Sequence, residues 1–179
     1  MQIYLTRHGE DLPSRPGYLS GEDPALSDVG RQQAMAVAAK LRAALDTTQQ
    51  LQILTSPCQR TTQTAQLIAA ILGVDPGTVK MDARLTERDC APFFGRLASE
   101  VFSLSEAELT RGGMEAYDAM YARLESLYAE TLHDHLPTIF VTHSGNIRPL
   151  TQIAAQIAPD PTAPLPDLPA DGYLQLCSA

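Results

Sequence analysis

The chain has 179 residues, 44% of them hydrophobic and 19% charged, with a formal net charge of −8 at pH 7; it is long enough to bury a full core and reads as one domain over 1–179. The acidic balance argues against a nucleic-acid or membrane-surface partner, since those surfaces need an excess of basic residues to replace counterions. No apolar run approaches the ~18 residues of a bilayer span, and Arg7 interrupts the N-terminal stretch before a signal-peptide core forms, so a cytoplasmic location is expected.

Ile3 to Thr6 read as a buried strand that ends at Arg7-His8-Gly9. Ser27 then has the chemistry of an N-cap, with Ala34, Val37, Ala38, Leu41, Ala44 and Leu45 at helical spacing behind it. LQILTS (51–56) is a second short apolar strand, and Ser56-Pro57 is expected to cap and open the next helix. That helix carries Thr64, Ala65, Ile68, Ile71 and Leu72 on one face and stops at Gly73. Within 74–112 the pattern predicts a strand near Val79 to Asp82 and a short helix after Ser105. A long helix follows, with Tyr117, Met120, Tyr121, Leu124, Leu127, Tyr128 and Thr131 forming a core stripe. TIFVTH (138–143) is another buried strand, and SGNIRPLTQIAAQIA opens a helix with Pro149 expected in its first turn or so. Five prolines in 159–169 predict a stiff surface loop leading to a last strand, GYLQLC (172–177). Strands and helices alternate through short connections, so the fold class is α/β: a three-layer α/β/α domain with a largely parallel central sheet.

Three of these strands end in polar residues: Arg7-His8, Ser56 to Arg60, and His143-Ser144-Gly145-Asn146. In open α/β sheets the ligand crevice lies outside the carboxyl ends of the strands, so these residues are expected to converge. Arg60 falls in a first helical turn, where free N–H groups and the helix dipole favour an anion, and the helix after Gly145 offers a second positive end. Two arginine forks, two histidines and two helix ends suit a phosphate group. Gly9 is expected to let the ligand approach the backbone. The three cysteines, Cys58, Cys90 and Cys177, lack CxxC spacing and are expected to be reduced thiols, with no metal site.

TRHGE at the start, TSPCQRTTQTA in the first third, LTERD at 85–89 and FVTHSGNIRPL near the end resemble the ordered motifs of the histidine phosphatase superfamily, the phosphoglycerate mutase-like family. GEDPALSDVGRQQA at 21–34 is similar to the segment that family places before its first helix. The resemblance implies a phosphohistidine enzyme with no cofactor, acting on a small phosphorylated substrate. In it His8 is the nucleophile, Arg7, Arg60 and His143 bind the phosphoryl oxygens, and Glu87 protonates the leaving group. Asp89 is the substitute acid. The chemistry suits those residue types: a neutral imidazole attacks phosphorus, arginines offset the charge on the oxygens, and a carboxyl of raised pKa serves as acid and then as base.

The chain also departs from the family pattern. Asp11, Leu12, Pro13 and Ser14 follow the histidine motif where many members carry a Thr or Ser and then an Asn; HSGN replaces His-Gly-Gly; and Phe93-Phe94-Gly95 stands in place of a Trp-Glu pair. The chain lacks the length for the insertions of the glycolytic mutases, which favours a phosphatase over a mutase. Members acting on phosphohistidine proteins generally lack the acid, so Glu87 tilts against that activity. A reading from another class is a binding module that holds phosphoryl ligands without turnover. Cys90 and Arg96 have the CX5R spacing of cysteine-dependent phosphatases, but Pro92 removes a donor from the loop that would cradle phosphate, and chance explains the pair. No pattern in the sequence sets the oligomeric state.

Overall fold

The computed structural model describes residues 2–13, 15–46 and 49–176. Strands β1 (Ile3–Arg7), β2 (Gln52–Thr55), β3 (Lys80–Met81), β4 (Thr138–Thr142) and β5 (Leu174–Leu176) form one sheet in the order β3-β2-β4-β1-β5. The first four run parallel, and β5 lies antiparallel on β1. All five residues of β4 are buried, as a central parallel strand covered on both faces requires. Register pairs Ile3 with Thr138 and Gln52 with the same threonine, so β1, β4 and β2 end at nearly one level. That alignment puts His8, Ser56 and His143 together.

Helices α1 (Asp28–Ala44) and α2 (Gln59–Leu72) cover one face, where Val37, Leu41, Ile68 and Ala69 pack on Tyr4, Ile53, Ile139 and Val141. The other face carries α5 (Tyr117–Asp134) and α6 (Ser144–Ala154), with Leu124, Leu127 and Leu150 against Ile3, Leu5 and Phe140. This is the expected three-layer α/β/α architecture. The tyrosine and methionine stripe of α5 lies in that core. Between β3 and α5, two short helices, α3 (Ala98–Val101) and α4 (Glu106–Arg111), enclose a satellite core of Phe93, Val101, Leu109 and Met114. Ser105 caps α4 through a complete capping box with Glu108.

The Ser27 cap is present, its hydroxyl accepting from Gly30 N at 2.9 Å. Gly73 ends α2 with φ of 76°. Three local expectations change. α2 begins at Gln59 with Cys58 as N-cap, because the Ser56 hydroxyl is turned to His143 and the Asp23 carboxylate takes the Gln59 N–H. Pro149 is the sixth residue of α6, inside the helix, since α6 starts directly at the end of β4; its ring deprives the Gly145 carbonyl of an intrahelical donor. The last strand is confined to Leu174–Leu176, and Cys177 lies outside the described residues. The proline-rich segment is an irregular loop tied to α6, with Arg148 Nη1 donating to Pro161 O at 2.5 Å and Gln152 Nε2 to Asp160 O at 2.9 Å. Among the described residues no helix is long and apolar enough to cross a membrane.

Candidate active site

His8 follows β1 directly, is buried, and donates its backbone N–H to Thr142 O at 3.0 Å. Its Nδ1 lies 2.7 Å from Gly9 O, a carbonyl that only accepts, so Nδ1 carries the proton. Arg60 Nε donates to Nε2 at 3.3 Å, which makes Nε2 the lone-pair nitrogen. Burial brings the imidazole down to about 3; Arg60 and Arg7 push the same way, against the Gly9 bond. His8 is therefore a neutral imidazole with a fixed tautomer and a lone pair beside a guanidinium.

Arg60 also reaches the second histidine, with Nη2 at 3.3 Å from His143 Nδ1. Because a guanidinium only donates, Nδ1 accepts and Nε2, 2.9 Å from Ser56 Oγ, holds the ring proton. Burial, and then the proximity of His8, Arg60 and Arg7, lower His143 to about 2. The two rings stand edge to face with centroids 5.2 Å apart. Arg7 is exposed at the end of β1, and among the described residues its guanidinium makes no hydrogen bond or ion pair. Thus Arg7, His8, Arg60 and His143 converge as their strand ends predict.

At each of the two helix ends one backbone N–H is taken by a side chain of the protein. Asp23 accepts from Gln59 N at 2.7 and 2.8 Å at the start of α2, and stands 3.6 Å from Arg60 Nη1. Asp11 Oδ2 lies 3.5 Å from Arg60 Nε. At the start of α6, Gly145 N donates to Glu87 Oε1 at 3.1 Å. Orphan N–H groups at a helix start take the nearest acceptor, and here loops deliver carboxylates.

That contact brings Glu87 into the site from far beyond β1 in sequence, on a segment of irregular backbone. Oε1 accepts from both Arg88 N and Gly145 N, each at 3.1 Å, while Oε2 makes no hydrogen bond among the described residues. Burial raises the carboxyl above the usual glutamate value and outweighs these bonds and the charges of Arg60 and Arg7. Oε2 is the oxygen left to carry and move a proton. Gly145 is obligatory for this arrangement, because a Cβ there would fall on Glu87 Oε1. Asp89, the substitute acid, is instead exposed and accepts from Ala91 N, the first residue of the 3-10 turn Ala91–Phe93, at 2.9 Å.

Cys90 lies beside Glu87 with its thiol pushed up by burial and by the Glu87 and Asp89 charges, the reverse of an activated thiolate. Arg96 stacks 5.6 Å over the Phe93 ring. Gly9 is required by packing: a Cβ there would meet the Gly30 carbonyl, and one on Gly30 would meet that of Glu10. Among the described residues no group of three or more His, Cys, Asp or Glu is placed to hold a metal ion.

The sequence model of the histidine phosphatase superfamily (branch 1) matches residues 3–166. The chain belongs to the histidine phosphatase superfamily. Among curated relatives, it is 35% identical over 109 residues to a protein named "Probable phosphoglycerate mutase GpmB" from Salmonella paratyphi C, a match covering 60% of this chain and 46% of that one. Its namesake from Cronobacter sakazakii is 39% identical over 90 residues, 50% of this chain and 39% of that one. The chain thus spans about half or less of the length of these relatives. Among solved structures, a mycobacterial glucosyl-3-phosphoglycerate phosphatase in complex with VO3 superposes with a TM-score of 0.77 at 22% identity, covering 97% of this chain and 90% of its own. Bacillus stearothermophilus YhfR gives 0.72 at 19% identity, covering 97% and 94%.

Several residues of this candidate site in the histidine phosphatase chain are silent in the sequence. Thr64 Oγ1 accepts from Gly9 N at 3.1 Å and donates to Arg60 O at 2.8 Å, joining the histidine loop to the arginine helix. Asn146 Nδ2 lies 2.8–2.9 Å from Leu85 O, Thr86 O and Thr142 Oγ1. Thr142 Oγ1 itself donates to Leu85 O at 2.7 Å. Together they pin the backbone that carries Glu87 to β4 and α6. Behind it, Arg88 pairs with Glu106, and Arg123 pairs with Glu115 at 2.7 Å while donating to Arg84 O at 2.5 Å. The helical spacing of Thr64 marks a core face, and only its strand-end neighbours reveal its second task.

Proposed function

We propose that this protein hydrolyses phosphomonoesters without a metal through a phosphohistidine on His8. The observation that carries the reading is the pair of fixed proton positions: a lone pair on His8 Nε2 and an unbonded oxygen, Oε2, on a Glu87 of raised pKa. In the first step Nε2 forms a bond to phosphorus, the bond from phosphorus to the ester oxygen breaks, and the Glu87 proton goes to that oxygen. In the second, Glu87 takes a proton from water as the hydroxide displaces His8. Arg7 and Arg60 offset the charge on the equatorial oxygens. For His143 to donate to an oxygen it must gain a proton on Nδ1, and the field of the phosphoryl dianion favours that gain. Similarity to a superfamily of phosphatases and to a mutase-named relative supports phosphoryl transfer in either form.

A phosphate-release assay with EDTA, over phosphosugars, phosphoglycerates, nucleotides and phosphohistidine peptides, tests the proposal. Release from at least one monoester is expected, with His8→Ala inactive and trapping no acid-labile phosphoryl group. Loss of all activity on chelation would sink it, binding without turnover would indicate a binding module, and isomerised phosphoglycerate without release would indicate a mutase.

A further inference from the structure

Glu87 sits on backbone with little support of its own. The 3-10 turn Ala83–Leu85 ends before it, and Thr86 to Cys90 form neither helix nor strand. Two consecutive carbonyls there, Leu85 O and Thr86 O, are taken by one side-chain amide, Asn146 Nδ2, at 2.9 and 2.8 Å. Asn146 is fully buried in the first turn of α6, whose N-cap is His143, and it follows Gly145, whose N–H holds Glu87 Oε1. Its backbone N–H returns to His143 O at 3.2 Å. One turn of helix therefore grips the backbone of the acid, its carboxyl group and the second histidine. The amide faces one way only. Nδ2 meets the two carbonyls and Thr142 Oγ1, whose own proton goes to Leu85 O, while Oδ1 is buried with no hydrogen-bond partner among the described residues. A buried acceptor without a donor opposes the stability its donations supply, so the amide contributes direction more than stability.

We infer that Asn146 is a positioning residue for the proton donor: it fixes Glu87 relative to His143, and without it the acid no longer meets the leaving oxygen. The inference rests on the hydrolytic reading above and gives Asn146 no contact with substrate. A carbonyl and the N–H of the next residue share one rigid peptide plane, so holding Thr86 O sets the plane from which Glu87 departs, and holding Leu85 O sets the plane before it. The neighbours do not replace this grip. Thr142 holds Leu85 O alone, Gly145 holds the carboxyl group but not the chain that bears it, and Thr86 O has no other partner among the described residues. Freed of Asn146, Thr86 O turns to water and the Glu87 peptide turns with it.

Asn146→Ala and Asn146→Leu delete the donor, the second while keeping the volume filled. Each should slow kcat for n-butyl phosphate about ten-fold or more and for p-nitrophenyl phosphate less than about two-fold, because only the alkyl oxygen needs a proton to leave. With Glu87→Gln already present, Asn146→Ala should slow the alkyl ester no further, since a residue acting through another does not add to its loss. Equal slowing of both esters, full multiplication of the two losses, or failure of both variants to fold makes Asn146 merely structural and overturns the inference, leaving hydrolysis standing. A ¹³C titration of the glutamate carboxyls, with the Glu87 signal identified by its loss in Glu87→Gln, reads the position without turnover. Arg7 of β1, Arg60 of α2, and Arg88 and Cys90 of its own segment face that carboxyl and are the same in the variant. Asn146→Ala should therefore move Glu87 down towards the ordinary glutamate value as water reaches it. That shift in a chain that cleaves no ester upholds the positioning and removes the hydrolase, and an unmoved titration removes the positioning.

Discussion

Glu87 and Gly145 act as one unit, and their substitutions should share a signature. Glu87→Gln is expected to slow an alkyl phosphate by about 10²-fold or more, the range for losing one general acid, and an activated aryl phosphate much less, because a good leaving group departs without a proton. Gly145→Ala puts a methyl group where Glu87 Oε1 now accepts two N–H bonds, so it should show the same split between substrates while remaining folded. Equal slowing of both esters by Glu87→Gln would remove the acid role. Arg7, His8, Arg60, Glu87 and His143 are all marked in the sequence, by strand ends or by motif. Asp23 and Thr64 are not, since a carboxylate in a loop and a threonine on a core face look the same whether or not a site lies beside them.

At the level of elements, the start of α2 is where the proposed affinity for anions would be set. Asp23 satisfies the Gln59 N–H and offsets the charge of Arg60. Asp23→Asn keeps an acceptor for the helix and deletes the charge, so inorganic phosphate should inhibit about two- to five-fold more tightly, the yield of one partly exposed ion pair. The gain should shrink as salt is added, and an unchanged inhibition constant would show that Asp23 only caps. The two loops that supply Asp23 and Glu87 are the parts least readable from sequence. Periodicity identifies α1, α2, α5, α6 and the parallel strands, whereas 74–112 is held by capping turns and ion pairs that carry no period.

Across the whole molecule, two buried neutral histidines make the fold sensitive to acid. His8 and His143 have folded values of about 3 and about 2 against 6.5 in the open chain. Lowered values mean that their contribution is complete above pH 6.5 and is lost as pH falls from there towards 3, where only the unfolded chain takes up protons. Glu87, raised in the fold, opposes this between its folded value and 4.5, where only the folded chain holds its proton, but is one group against two. Stability should therefore drop by up to about 1–2 kcal/mol per pH unit between pH 6 and 4. Thermal unfolding across that interval checks it: the midpoint should fall steeply, and His143→Asn, which cannot titrate, should fall less steeply than the native chain. Parallel curves would contradict the assignment of this term to the histidines.

By itself the sequence determined the layered α/β/α fold, the three strand ends and the family, because a 3.6-residue or all-apolar period survives in any window of the chain and the motifs are contiguous. The tertiary structure alone decided how the two helix ends are used and what Gly9 and Gly145 face. Gly9 faces the Gly30 carbonyl and Gly145 faces the Glu87 carboxylate; both contacts join segments far apart in sequence, fixed only when β1, β2 and β4 align at one level. A pocket beside Glu87 is likewise assembled from α4, α5 and the proline-rich loop, and pairs such as Arg88 and Glu106 meet only after those elements pack.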